Sequence, residues 1–345
     1  MTSAPHPGFD VDTLASYLQA RLPGFHGPLS ATKFKGGQSN PTYRIDTATG
    51  CYVLRRKPYG RLLASAHAIE REYRVLTALE HSAVPVATPL HLCEDDSVIG
   101  SAFYLMSFVP GRVQWDPALP DLTPAARETL YCRALDALTA LARLDANALG
   151  LSDYGKAGNY FARQIARWSE QYRASETGTI TAMDSLIAGL PAAVPADPGR
   201  IALVHGDFRL DNLMWSDSQQ LLAVVDWELS TLGHPLADLG YFCMALRLPR
   251  NPVLPGLAGL ERRALGIPEE ALLLARFADA TGLDPGKDWP FHLAFHFFRL
   301  AAIAQGVMQR ALQGNASSDQ ALAAGRMAPL LAQMGLEVLE HGRAN

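Results

Sequence analysis

The 345-residue sequence has few cysteines, and their spacing is not that of a metal site or a disulfide framework. Both of those features need cysteines at short or regular spacings, and no C-x-x-C pair is present. We therefore expect reduced thiols and a cytoplasmic protein. The four cysteines lie far apart in the chain: Cys51, Cys93, Cys132 and Cys243.

The sequence also shows no excess of positive charge and no long apolar run, and we expect no secretory signal. It has 30 Lys and Arg against 34 Asp and Glu, whereas nucleic-acid-binding surfaces need clustered basic residues. No run approaches the roughly 20 apolar residues that span a bilayer. Residues 1–20 have neither the basic flank nor the apolar core of a secretory signal. These absences argue against nucleic-acid partners, membrane partners and export.

What the sequence does contain is enough apolar material for two globular units. It is 48% hydrophobic and 19% charged, which is ordinary for a folded protein. Short strand-like segments separated by glycine turns occupy the first hundred residues, and long helical periodicity follows Gly111. The pattern predicts an α+β protein with a small β-rich domain over residues 1–107 and a larger, mainly helical domain over residues 108–345. Strands are predicted at 31–35, 42–46, 51–56, 103–108, 201–204 and 221–225, and helices at 11–21, 64–80, 124–144, 159–172 and most of 269–340.

The most specific pattern is H-G-D-F-R-L-D-N at 205–212, followed by V-D-W-E at 225–228. An aspartate followed five positions later by an asparagine can direct a carboxylate to a substrate hydroxyl and an amide oxygen to a metal from one loop. A further aspartate after the next strand can be the main metal ligand. Phosphoryl transfer needs these parts. The alternative is that Asp207, Asp211 and Asn212 are only turn residues.

These residues resemble the catalytic core of the aminoglycoside phosphotransferase-like kinases, relatives of protein kinases in which H-G-D replaces H-R-D. The resemblance covers about residues 32–310 and implies a two-lobed protein-kinase-like fold that uses ATP and Mg²⁺. It implies that Asp207 is the catalytic base and that Asn212 and Asp226 bind the metal. His205 would support the loop by hydrogen bonding more than take the proton, and Asp238 would brace the loop.

A glycine pair between two strand-like runs is the second candidate element. Glycines there let backbone N–H groups approach phosphates, although most such pairs only form turns. Its position before the third strand favours a nucleotide-binding role, and a Walker-type P-loop is excluded because G-x-x-x-x-G-K-[ST] is missing. The predicted nucleotide-binding residues are Gly36, Gly37, Gln38, Ser39 and Asn40.

The strand Y-V-L-R at 52–55 resembles the kinase strand that ends in a phosphate-binding lysine. Arg55 would take the place of that lysine, with Lys57 as the alternative, and arginine differs from lysine in its planar, forked donor set. Its ion-pair partner on the following helix would be Glu72, with Glu70 as the alternative. A further interpretation is that Arg55, Arg56 and Lys57 are only solvated surface charges.

The apolar segment 103–108 would then be the hinge that contacts adenine. The resemblance implies Met106 at the back of the adenine pocket and backbone groups of Ser107 and Val109 against the adenine edge. A plain core strand would have the same side chains. As in kinases, we expect the two lobes to close around the nucleotide, with the hinge at residues 107–111.

Three segments, at 52–58, 71–76 and 225–228, are most similar to the kinase-like domain associated with acyl-CoA dehydrogenases. That similarity implies a hydroxylated acyl thioester or related small alcohol as acceptor, and a functional link to acyl-CoA dehydrogenase. The balanced charge and aromatic residues of the C-terminal part, at 291–300, favour an uncharged or anionic acceptor. A nucleotide-binding pseudokinase or regulatory module, a true aminoglycoside kinase and a metal hydrolase are the alternatives. Monomer and homodimer are both open.

Overall fold

A computed structural model describes residues 8–34, 40–59, 68–314 and 320–341. The described residues divide into two units. The first contains those up to Arg112 together with Leu222–Leu229, and the second contains those in Val113–Leu221 and from Ser230 onward. The short segment 222–229 joins the first unit partly through the backbone, since the Val224 N–H donates to Pro85 O at 2.8 Å.

The first unit is built on a five-stranded antiparallel sheet with the order β1-β2-β3-β5-β4. Its first helix begins after Asp10, whose carboxylate caps it by accepting from the Asp12 N–H at 3.1 Å. In the second helix the buried residues recur at helical spacing, and Glu72 lies among them. The elements are α1 (Val11–Gln19), β1 (Ser30–Lys33), β2 (Thr42–Thr47), β3 (Gly50–Arg56), α2 (Ile69–Leu79), β4 (Pro89–Cys93) and β5 (Phe103–Ser107).

Alternation along β3 separates a core face from a polar face. Leu54 pairs in register with Leu105 of β5 and belongs to the buried cluster that includes Leu14 and Leu18 of α1. Because successive side chains point to opposite faces, Val53 and Arg55 lie on the other face. Their register partners there are Met106 and Tyr104 of β5. The sheet thus places two predicted nucleotide-binding side chains, those of Arg55 and Met106, on the same face.

The second unit is mainly helical, with short strands around the H-G-D loop. Strands β6 and β9 pair antiparallel, with Val204 opposite Thr231. The longest helix, α9, packs against α4, α6, α10 and α11. The elements are α3 (Pro124–Arg143), α4 (Tyr160–Ser175), α5 (Thr181–Gly189), β6 (Ala202–Val204), β7 (Leu213–Trp215), β9 (Thr231–Gly233), α6 (Ala237–Met244), α7 (Arg262–Leu265), α8 (Glu270–Thr281), α9 (Trp289–Leu312), α10 (Ala321–Gly325) and α11 (Ala328–His341). The remaining strand, β8 (Leu221–Val224), leads into the segment of the first unit described above.

Helix α9 is long and apolar enough to cross a membrane by length and composition. It is the one such helix in the described part of the chain, and 78% of its most apolar window is buried inside the protein. Core helices pass the same length and composition test, and the packing of α9 against the surrounding helices is that of a core helix.

Most predicted elements are confirmed, and six were missed. Strand β4 follows a proline-punctuated stretch, and α5 lies in a segment of small residues that was interpreted as irregular. The remaining missed elements, β7, β9, α6 and α7, are three to eight residues long, which is too short to show an amphipathic period. The four cysteines are free thiols, with Cys93 and Cys243 buried.

Candidate active site

In the first unit, β3 and α2 bring Arg55 and Glu72 together. Arg55 Nε lies 3.0 Å from Glu72 Oε2, and the exposed fractions of the two side chains are 12% and 2%. Glu72 also accepts from Asn40 Nδ2 at 2.8 Å and from the Tyr104 hydroxyl at 3.1 Å. Burial raises the pKa of Glu72 to about 7, while Arg55 and the Tyr104 hydroxyl act in the opposite direction. Asn40, predicted to bind nucleotide, therefore uses its side-chain amide to hold this ion pair.

The neighbouring cations of β3 have different partners. Lys57 Nζ contacts Glu70 Oε1, so the two glutamates considered from the sequence belong to two separate ion pairs. Arg56 lies on the opposite face, where Nη1 donates to Ser101 Oγ at 3.2 Å and the guanidinium covers the Tyr59 ring at 3.7 Å. The interpretation of this group as solvated charge is wrong for Arg56, which is 4% exposed. The choice between Arg55 and Lys57 as the phosphate contact stays a prediction.

Two further carboxylates contact Arg55 from the turn after β8. Arg55 Nη2 donates to Asp226 Oδ1 at 2.8 Å and to Glu228 Oε2 at 3.1 Å. Asp226 has a φ of +66°, which non-glycine residues rarely adopt. The buried indole of Trp227 holds the turn by donating to Val224 O at 2.9 Å.

The three carboxylates raise the pKa of Arg55 above its ordinary value, although burial acts in the opposite direction. Sequence reasoning assigned no role to Glu228. The signal was present, because the V-D-W-E motif places Glu228 two residues after the predicted metal ligand Asp226.

In the second unit, a buried carboxylate holds the H-G-D loop through its backbone. Asp238, in the first turn of α6, accepts from the His205 N–H at 2.7 Å and from the Gly206 N–H at 2.8 Å. Burial raises the pKa of Asp238, and His205 and the two backbone donors oppose that shift. Gly206 has a φ of +88°, a conformation that favours glycine. His205 is fully buried, and its Nδ1 accepts from the Asp207 N–H at 3.2 Å.

The same loop brings Asp207 and Asn212 together. Asn212 Nδ2 donates to Asp207 O at 2.8 Å and to Asp207 Oδ2 at 2.9 Å. Arg209 lies between two carboxylates, 3.2 Å from Asp207 Oδ1 and 3.0 Å from Asp211 Oδ2. Burial raises the pKa of Tyr241, and the negative charge of Asp207 and a hydrogen bond to Asp207 act in the same direction. The loop therefore presents one carboxylate whose position is held by an amide and a guanidinium.

The residues predicted to bind magnesium have suitable donor atoms. Mg²⁺ takes oxygen ligands, usually one or two carboxylates together with substrate phosphates. Asn212 donates through Nδ2, which leaves its carbonyl Oδ1 as an oxygen donor, and the Asp226 carboxylate is 36% exposed. Over residues 8–34, 40–59, 68–314 and 320–341 no group of three or more His, Cys, Asp or Glu side chains could hold a metal. Each of the two residues thus offers an oxygen donor of the kind that Mg²⁺ takes.

The remaining predicted nucleotide-binding residues are in two groups. Met106, Ser107 and Val109 are half-buried at the end of β5 and beyond. The Ser107 N–H donates to Thr88 O at 2.9 Å, and the Val109 carbonyl accepts from the Gly111 N–H at 2.9 Å, so both groups are used within the protein. The adenine contact of this segment stays a prediction. Gly36, Gly37, Gln38 and Ser39 lie outside the described residues.

Comparison with known proteins places this arrangement in a family. Residues 30–288 match the phosphotransferase enzyme family. The chain is 46% identical over 327 residues to acyl-CoA dehydrogenase family member 10 of Mus musculus, covering 94% of this chain and 30% of that protein. It is 39% identical over 340 residues to family member 11 of Rattus norvegicus, covering 97% of this chain and 44% of that protein. The chain thus spans less than half the length of these curated relatives.

Solved structures agree with the fold. A candidate aminoglycoside phosphotransferase from Ralstonia eutropha is 49% identical, with a TM-score of 0.89 over 96% of this chain and 98% of that one. A spectinomycin phosphotransferase in complex with ADP and spectinomycin is 13% identical and shares the fold alone, with a TM-score of 0.65 over 96% of this chain and 98% of that one. The predicted protein-kinase-like fold, a five-stranded antiparallel sheet followed by a mainly helical region, is confirmed. The chain is homologous to the kinase-like region of acyl-CoA dehydrogenase family members 10 and 11, and it belongs to the phosphotransferase enzyme family.

Proposed function

We propose that the protein transfers the γ-phosphate of ATP to a hydroxyl group of a small molecule, with Mg²⁺ as cofactor. The observation that carries the proposal is the hydrogen-bonded Asp207–Asn212 loop, held from behind by Asp238. Phosphotransferases of this family are ATP-dependent by fold, and solved relatives contain ADP or AMP-PNP. If the protein bound nucleotide through the same oxygen donors but did not transfer the phosphate, it would be a regulatory module.

In this proposal Asp207 orients the acceptor hydroxyl and takes its proton. Phosphoryl transfer passes through a loose transition state, so the enzyme acts mainly by positioning and charge stabilisation. Asn212 and Asp226 would hold Mg²⁺, which when bound neutralises charge on the phosphates. His205 keeps the loop in shape through its contact with the Asp207 N–H and is not the base.

Arg55 is the phosphate contact that we propose in the first unit. Glu72 holds the guanidinium at Nε, which aims Nη2 at Asp226 and Glu228. When Asp226 binds a cation, its charge is no longer available to Arg55, and an anionic phosphate oxygen can take its place at Nη2. Lys57, already paired with Glu70, is the second choice.

The acceptor class that we propose is a hydroxyacyl-CoA or a closely related hydroxylated acyl compound. The support is homology: the relatives of 46% and 39% identity are named as acyl-CoA dehydrogenase family members, and the chain matches 30% and 44% of their lengths. A molecule handled by both parts of such a protein would carry an acyl thioester and a hydroxyl group. Aminoglycosides are the second candidate, because the Ralstonia structure is 49% identical.

The test is coupled-assay ADP release with Mg-ATP across 3- and 4-hydroxyacyl-CoAs, amino alcohols, sugars and aminoglycosides. Turnover with one class is expected to fall about 10³-fold in Asp207→Asn while Mg-ATP binding persists. Asp217→Asn, at an exposed aspartate of the same unit, is the matched control and should keep activity. Mg-ATP binding without ADP release for every acceptor would favour the regulatory module, and failure to bind Mg-ATP would contradict the proposal.

A further inference from the structure

Helix α6 contacts the H-G-D loop with one of its faces. Asp238, Tyr241 and Phe242 are at positions i, i+3 and i+4, which lie on the same side of a helix. Asp238 holds the backbone of the first two loop residues, as described above. The Phe242 ring packs edge-on against Phe208, with ring centroids 6.0 Å apart. Tyr241 therefore belongs to a helix face that packs against the loop on both sides of Asp207.

The Tyr241 side chain contacts the Asp207 carboxylate. It is 6% exposed, and its hydroxyl donates a hydrogen bond to Asp207. A hydrogen bond to an ionised carboxylate is roughly twice as strong as one between neutral groups. This contact to the proposed base comes from α6, outside the catalytic loop.

The other two partners of Asp207 belong to the loop itself. The Arg209 side chain, 3.2 Å from Asp207 Oδ1, is 41% exposed, so water screens its attraction. Asn212 donates to Asp207 Oδ2 at 2.9 Å, and it is also a proposed magnesium ligand. Neither residue connects the carboxylate to the helices of the second unit, whereas Tyr241 does.

The charged and titratable groups that face Tyr241 come from the loop and from α9. Asp207 and Arg209 belong to the loop, and the guanidinium carbon of Arg299 in α9 lies 5.3 Å from the centre of the Tyr241 ring. The His296 ring lies 5.4 Å away and is neutral, because burial lowers its pKa well below the ordinary value. Burial raises the pKa of Tyr241, so its hydroxyl keeps the proton and acts as a donor.

We propose that Tyr241 is a positioning residue for phosphoryl transfer, because its hydroxyl holds the Asp207 carboxylate in the orientation that accepts the proton of the acceptor hydroxyl. The inference rests on the proposed function, in which Asp207 is the base. Helix α6 then fixes the loop twice, at the backbone through Asp238 and at the base through Tyr241. Because transfer depends on the orientation of the base, losing this hydroxyl should lower kcat and leave substrate binding unchanged.

The first experiment is Tyr241→Phe, which removes the hydroxyl and keeps the ring that packs against Arg299 and His296. With an acceptor that the ADP-release panel identifies, we expect kcat to fall about tenfold or more, while KM for Mg-ATP and for the acceptor changes by less than about twofold. The matched control is Tyr131→Phe, which removes another buried tyrosine hydroxyl of the second unit, one that donates to Pro117 O at 2.6 Å. An unchanged kcat in Tyr241→Phe, or an equal fall in both variants, would overturn the proposal.

A double-mutant cycle tests whether Tyr241 acts through Asp207. Because Asp207→Ala removes the base, adding Tyr241→Phe should lower the remaining rate by less than about twofold. Phosphoryl transfer from radiolabelled ATP measures this low rate. A tenfold fall in both backgrounds would show that Tyr241 affects turnover by another route, which contradicts the proposal.

A second cycle measures the contact without turnover and separates this inference from the proposed function. The shifts of the urea midpoint in Tyr241→Phe and Asp207→Ala should add up to more than the shift of the double variant, since both changes break the same hydrogen bond. Additive shifts would remove the contact and leave the phosphotransfer function in place. Non-additive shifts in a chain that releases no ADP with any acceptor would remove the function and the positioning role, and leave a contact that only stabilises the loop.

Discussion

The two units hold their predicted active-site residues by different means. In the first, Arg55 is positioned by side chains alone, with carboxylate oxygens of Glu72, Asp226 and Glu228 between 2.8 and 3.1 Å away. In the second, the H-G-D loop is positioned through its backbone, because Asp238 accepts from two consecutive N–H groups. Charged side chains can exchange partners when a cation or a phosphate binds. A buried carboxylate that accepts from two backbone amides instead fixes the loop in one conformation.

This difference matches the tasks proposed for the two regions. A phosphate contact must take up a charged ligand, and Asp226 and Glu228 are exposed enough to be reached by water and ions. A catalytic base must be pre-oriented, because transfer depends on a fixed position relative to the acceptor hydroxyl. The predictions below test this contrast, from the largest expected effect to the smallest.

The largest effect is expected from removing the brace of the H-G-D loop. Asp238→Ala leaves the buried His205 and Gly206 N–H groups without their acceptor, which should lower the free energy of unfolding by roughly 2–6 kcal/mol. Urea denaturation measures this change. Asp238→Asn keeps one side-chain oxygen and should lose less. Unfolding midpoints equal to the wild type would show that the loop is not held through its backbone.

Breaking the buried ion pair of the first unit should have a smaller and pH-dependent effect. Arg55→Met leaves Glu72 buried without its cation and should lower stability by about 3 kcal/mol at pH 8. Burial raises the pKa of Glu72 to about 7 in the wild type, where Arg55 lowers it, so removing Arg55 raises that pKa further. The carboxyl of the variant therefore takes up a proton as the pH falls from 8, and the loss becomes smaller. Urea denaturation at pH 8 and pH 6 compares the two. A loss that grows as the pH falls would contradict this explanation.

Buried histidines of the second unit should produce an acid-sensitive component of stability. Burial lowers the pKa of His292 to about 3 and that of His234 to about 4, both from 6.5. As the pH falls, these histidines take up protons in the unfolded chain at a higher pH than in the folded protein. Their contribution to the free energy of unfolding is therefore complete above pH 6.5 and is lost as the pH falls toward the pKa values of the folded state. Each histidine should contribute about 2 kcal/mol of the decrease between pH 7 and pH 5.

The variant His292→Gln tests that contribution. The quantity compared is the slope of the free energy of unfolding against pH, and not its value at one pH. Urea denaturation from pH 7 to pH 5 should give a shallower slope than the wild type. His81→Gln, at an exposed position of the first unit, should leave the slope unchanged. Identical slopes for all three proteins would refute the role of His292.

The smallest effect is expected at the second ion pair of β3. Lys57 and Glu70 are 28% and 32% exposed, so solvent screens their attraction. Lys57→Met should change the free energy of unfolding by at most about 1 kcal/mol, in contrast to Arg55→Met. A loss as large as that of Arg55→Met would show that the first unit depends equally on both pairs.

Sequence reasoning found the site residues that are close together in the chain and missed several that are not. Asp207 and Asn212 are five positions apart, and the H-G-D motif predicted both. Glu228 contacts Arg55 from 173 positions away, and Tyr104 reaches Glu72 from the neighbouring strand. Asn40 was assigned to nucleotide binding from its place after the glycine pair, whereas its amide contacts Glu72. No local pattern encodes these contacts, because they depend on which strands and helices pack side by side.

By itself the sequence determined the α+β class, most of the strands and helices, the family, and the residues of the H-G-D and V-D-W-E motifs. These features depend on residue periodicity and on short spacings, which are properties of neighbouring positions. Only the tertiary structure decided between Glu72 and Glu70 as the partner of Arg55, and paired Lys57 with Glu70. Pairing and burial are set by packing between distant segments, where desolvation and geometry choose among partners that are chemically equivalent in sequence.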